Sequence, residues 1–106
     1  MDINKKNGSV IDLTKAIELT HSYQEMNPLK ANSYFVGFDR LDDLLQQNQC
    51  VGMRIYPGLD SNTNQMNIVL VGVDKSGEDM TSGLMLDELV TCPPMCPKES
   101  QLVKIN

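Results

Sequence analysis

Between Asp12 and about Met26 the stripe positions Leu13, Ala16, Ile17, Thr20 and Tyr23 recur at spacings of three and four. That period lays them along one face of an α-helix. Asp12 stands where a short side-chain oxygen accepts a bond from an unpaired backbone N–H of the first turn, and Pro28 follows the last turn. A second, shorter helix is predicted from Asp39 to near Asn48, with Leu41, Leu44 and Leu45 on one face and acids in its first turn. Leu29 to Phe38 carries Ala31, Tyr34, Phe35, Val36 and Phe38, so it reads as an extended or irregular segment that buries these side chains.

The pattern then changes period. From Cys50 to Tyr56, Val51, Met53 and Ile55 alternate with Gly52, Arg54 and Tyr56, as in a half-buried strand that Pro57-Gly58 stops. Asn67 to Val73 is an apolar, β-branched run, so it predicts a strand buried on both faces and central in its sheet. Residues Pro57 to Gln65 form the loop of an antiparallel hairpin, and Asp74-Lys75-Ser76-Gly77 a tight turn. Residues 84–90 fit either a strand or a helical turn. The prolines of Thr91-Cys92-Pro93-Pro94-Met95-Cys96-Pro97 exclude regular structure from the tail. The predicted fold is α+β: two N-terminal helices packed on one face of a small antiparallel sheet, with a Pro- and Cys-containing C-terminal tail. Residues 1–106 make one small globular domain, frayed at 1–9 and 97–106.

Composition narrows the function classes. Apolar residues make up 41% and charged residues 22%, ordinary for a folded chain. The net charge of −5, with nine dispersed Lys and Arg, argues against nucleic acid, whose binding needs clustered cations. No basic amphipathic helix and no run of about 18 apolar residues points to a membrane. The N-terminal residues lack the apolar core of a signal peptide, and three cysteines are too few for a disulfide scaffold, so the chain reads as cytoplasmic.

Candidate chemistry is sparse. Cys92 and Cys96, thiols four apart on a constrained turn, suit a shared metal, a disulfide or exchange with a partner, with Cys50 and His21 as the other soft donors. The spacing is CxxxC rather than CxxC, which favours cysteines packed as small apolar groups. Asp60 to Asn64 matches half of a calcium loop, then fails where Gln65 replaces the glycine and Val71 the closing glutamate. Arg54 and Tyr56 share a strand face, where Arg54 either clamps an anionic ligand or forms a surface ion pair with Asp74 or a first-turn acid of the second helix. With His21, they would line a pocket between helices and sheet. Asp42-Asp43 and Glu78-Asp79 read as solvated charge. No nucleotide-cradling, serine-esterase or zincin motif is present, and no cofactor is implied.

Ile11-Asp12-Leu13, Ala16 and Tyr23; Lys30-Ala31 and Phe38; Leu44-Leu45 and Gln47; Cys50 to Tyr56 with Gly58 and Asp60; Val69 to Asp74 with Gly77, Asp79 and Met80; and Cys92-Pro93-Pro94 with Cys96 occur in an order that resembles a group of small uncharacterised proteins of Bacteroidota bacteria. The resemblance implies a bacterial protein and carries no activity, cofactor or catalytic residue. Gln24 departs from the basic residue that the group's pattern has after the tyrosine.

These features favour a non-catalytic protein-interaction or assembly module, acting as a homodimer or on a protein partner through an exposed sheet edge or the tail. A thiol-redox or metal-binding protein centred on Cys92, Cys96 and Cys50 is the first alternative. A small-ligand binder or enzyme built on Arg54, Tyr56 and His21 is the second.

Overall fold

The computed structural model describes residues 2–104. It is a mixed α and β fold with the order α1 (Leu13–Met26), β1 (Ser33–Phe35), α2 (Phe38–Leu45), β2 (Cys50–Asp60), β3 (Gln65–Asp74), β4 (Met85–Leu86) and β5 (Val90–Cys92). Strands β2, β3 and β4 form an antiparallel sheet in that order, and β1 and β5 a two-stranded one. The chain divides into two compact units. One joins the residues up to Asn7 with Phe35–Val90; the other joins Gly8–Tyr34 with the chain from Thr91 onward. No helix among the described residues is long and apolar enough to cross a membrane.

The first unit is built on the β2–β3 hairpin. Leu70, Val71 and Val73 of β3 are 1%, 2% and 3% exposed, and Leu44 of α2 is completely buried. The β-branched run is therefore the central strand that its composition predicts, with α2 packed against β2 and β3. Pro57 does not stop β2, contrary to the reading from sequence: Pro57 pairs with Ile68, Gly58 with Asn67 and Asp60 with Gln65. β2 lies at the sheet's edge, where a strand tolerates a residue that has no N–H to donate. The loop shrinks to Ser61–Asn64, held by the Asp60 carboxylate accepting from Asn62 N at 2.9 Å and by Asn64 N donating to Asp60 O at 2.7 Å.

The ambiguous stretch 84–90 is strand-like. Met85 and Leu86 pair with Val71 and Leu70, after which the amide of Asn67 donates to Leu89 O at 3.1 Å and accepts from Leu89 N at 3.2 Å. One side chain thus extends the ladder past β4. Gln47 plays a similar part beyond the end of α2. Its Nε2 donates to Leu44 O at 2.9 Å and its Oε1 accepts from Leu84 N at 2.8 Å. Gly83 leaves room for this amide, since a Cβ there would collide with Gln47 Oε1.

In the second unit, α1 begins as expected, Asp12 Oδ1 accepting from Lys15 N at 2.8 Å. No residue of α1 is fully buried, and its half-buried side consists of Ala16, Ile17, Thr20, His21 and Gln24, while Leu13 and Tyr23 are exposed. Polar bonds do the joining instead. His21 Nε2 donates to Gln101 O at 2.9 Å, Gln24 Nε2 donates to Leu102 O at 2.9 Å, and Gln24 Oε1 accepts from Lys104 N at 2.7 Å. The C-terminal stretch 101–104, expected to fray, is tied to α1 by these bonds. The aromatics of the 29–38 segment also depart from expectation, with Phe35 65% and Phe38 79% exposed. That segment forms the short β1 and ends at the first residue of α2, and two of the side chains it was expected to bury face solvent.

Candidate functional site

A cluster of charged and polar side chains in the first unit lies on the β2–β3 sheet. In the hairpin register Arg54 opposes Val71 and Tyr56 opposes Val69, so both side chains leave the same face. The turn after β3 brings a third group to that face. Asp74 Oδ1 accepts from Ser76 N and Glu78 N, Gly77 N donates to Asp74 O, and Gly77 adopts φ +85°, a left-handed conformation suited to glycine. The chain reverses and Asp79 bridges to Val73. The Asp79 carboxylate then accepts from Arg54 Nη1 and from the Tyr56 hydroxyl, both at 2.5 Å, while Arg54 also donates to Gly77 O at 3.3 Å.

The electrostatics follow from this geometry. The Tyr56 hydroxyl bond, followed by the Arg54 guanidinium, holds the Asp79 carboxyl below the usual carboxylate range against the opposing effect of burial. The bond to Asp79, with burial adding to it, pushes the Tyr56 hydroxyl up, and the same carboxylate raises Arg54. Each group is therefore fixed in its neutral-pH form, Asp79 ionised and Tyr56 protonated. A general acid or base needs to change protonation near the working pH, and none of the three is placed to do so.

The residues proposed from sequence are thus partly united. Arg54 and Tyr56 meet, and the ion-pair reading of Arg54 applies, but its partner is Asp79 rather than Asp74 or an acid of α2. Asp79, read as solvated charge, is the residue sequence reasoning missed. Asp79 lies opposite Val73 and so on the Arg54 face, but counting across the Asp74–Gly77 turn would set Glu78 there; the observed connection holds one residue more, so simple counting gave no signal for Asp79. His21 belongs to the other unit, where its ring nitrogen is taken by Gln101 O.

No family model, curated protein or solved structure matches the chain. Function must therefore be argued from these residues. Beside the cluster, Ile3, Asn4, Val51, Met53 and Ile55 border an open depression of about 360 Å³, largely apolar in lining. Arg54 uses Nη1 for both Asp79 Oδ1 and Gly77 O, so the ion pair engages one nitrogen of its guanidinium.

The cysteines resolve differently from the reading as small packed thiols. Met95 N donates to Thr91 O and Cys96 N to Pro94 O, and this turn brings the Cys92 and Cys96 Cα atoms to 4.7 Å, where they are joined by a disulfide. Cys92 is buried, while Cys96 is exposed. Cys50 is a free thiol of the first unit, donating to Gly52 O at 3.1 Å. Among the described residues no three His, Cys, Asp or Glu side chains are grouped to hold a metal.

Proposed function

We propose that the chain is a non-catalytic assembly module that pairs with a second copy of itself through the outer edge of β2. The observation that carries this reading is the edge itself: β2 is eleven residues long and, among the described residues, pairs in its sheet with β3 alone, which leaves its other side as the sheet's edge. Such an edge attracts another strand unless it is blunted. The stretch before Pro57, Val51 to Tyr56, suits pairing with its own copy. Its one charged side chain, Arg54, is already neutralised by Asp79, so antiparallel self-pairing sets no unmatched like charges against each other. Ile55 and Leu59 are exposed beside it.

The dispersed basic residues leave nucleic acid out of the reading, which treats the module as cytoplasmic and, on the order of its residues from Ile11 to Cys96, as akin to the Bacteroidota group.

Light scattering on the purified full chain tests the proposal. The expected result is a mass twice that of one chain, falling to a single chain in Ile55→Lys, which sets like charges on the paired edge. A single-chain mass at every concentration, for the parent chain, would remove this function.

A further inference from the structure

We propose that Cys92 and Cys96 are a thiol–disulfide exchange pair in which exposed Cys96 meets the partner thiol and buried Cys92 resolves it. This goes beyond self-association and rests on different residues. The crosslink spans a sequence separation of only four. Closing so short a loop removes little entropy from the unfolded chain, so the bond is poorly suited to a purely stabilising role. Its two sulfurs also differ in access. Cys92 is 2% exposed at the end of β5, where its carbonyl accepts from Asn32 N at 2.8 Å. Every residue from Pro93 to Glu99 is exposed, Cys96 included. Burial of the whole Cys92 residue shields its sulfur, while exposure of the Cys96 residue makes its sulfur the one for an external thiolate to attack, the asymmetry that separates an attacking cysteine from its resolving partner.

The co-reactant is a low-molecular-weight thiol of the glutathione class, or its disulfide. In the reducing direction its thiolate attacks Cys96 Sγ, the Cys92–Cys96 bond breaks, and the electron pair leaves on the Cys92 sulfur, which takes up a proton. A second thiolate attacks the small-molecule sulfur of the mixed disulfide and releases Cys96 as a thiolate, which takes up the second proton. Two thiols become one disulfide, and the protein gains two electrons and two protons. In the other direction, the Cys96 thiolate attacks the small-molecule disulfide and expels one small thiolate; Cys92, having given up its proton, then attacks the Cys96 sulfur of the mixed disulfide and expels the second small thiolate, closing the bond. Reduced Cys92 remains acceptable in its buried place as a small apolar side chain, so the cycle leaves β5 standing.

The test uses the full chain carrying Cys50→Ser, equilibrated natively in glutathione buffers of graded ratio, acid-quenched, alkylated and weighed by mass spectrometry. The expected result is reversible interconversion of disulfide and dithiol at millimolar glutathione with an unchanged circular dichroism spectrum. With Cys92→Ser added, the glutathione adduct on Cys96 should form at least roughly tenfold faster than the adduct on Cys92 when Cys96→Ser is added instead, as the difference in access requires. A disulfide that opens only in denaturant overturns the proposal, as does equal attack at the two sulfurs. Should a serine variant lose its fold, the parent chain's exchange decides alone: reversible opening supports the pair, and resistance overturns it.

Discussion

The two units hold their elements by different means. Around the β2–β3 hairpin, Leu44, Leu70, Val71 and Val73 are buried together, and apolar burial is the main support. Around α1, no helical residue is buried, and His21 and Gln24 hold the backbone of 101–104 by hydrogen bonds. Burial of apolar surface is non-directional and accumulates with area, whereas a neutral hydrogen bond near solvent gives only about 1 kcal/mol net. The first unit is thus the stable frame and the second the easier to open.

The sharpest way to break this comparison is a matched truncation. Leu70→Ala should cost about 2–5 kcal/mol in denaturant unfolding, while Leu19→Ala on the exposed side of α1 should stay within about 0.5 kcal/mol. Similar losses at both positions would erase the distinction. A smaller effect is expected from Gly83→Ala, which drives a methyl group into Gln47 Oε1 and its bond to Leu84 N, at about 1–3 kcal/mol. It should loosen 84–86 in amide exchange and leave α1 unchanged. Gln24→Ala removes two bonds to the C-terminal stretch and should cost about 1–2 kcal/mol locally. Faster proteolysis after Lys104, with β3 amide protection unaltered, would show it.

The mildest effect belongs to Asp79→Asn and is seen through pH. Asp79 is held below the usual carboxylate range, so its contribution is present above the ordinary carboxylate pKa and disappears as pH falls through the lowered value. Tyr56 is raised, so its contribution is present below the ordinary tyrosine pKa and disappears as pH rises through the raised value. Asp79→Asn should slightly lower the plateau between the acid and alkaline limbs of the stability profile, measured by thermal unfolding, and flatten both limbs. Both side chains of the Arg54–Asp79 pair touch solvent, which keeps the effect small.

The sequence was legible where one physical rule dominates. Period-two alternation and the β-branched run located β2 and β3, and the Asp12 cap located the start of α1. It was misleading at Pro57, because whether a proline ends a strand depends on whether that strand lies at the edge or in the middle of its sheet. It was silent on Gln24, Gln47 and Asn67, whose amides replace backbone partners far along the chain and leave no periodic trace. Of the candidate site, Arg54 and Tyr56 were readable from alternation. Asp79 needed the register of the Asp74–Gly77 turn, and the disulfide needed the backbone path through Pro93 and Pro94.

Self-pairing at the β2 edge is tested most directly by amide hydrogen exchange of the full chain at low and high protein concentration. The expected result is protection rising with concentration for alternate amides between Val51 and Tyr56, with β3 amides protected at both. Exchange along β2 that ignores concentration would contradict it.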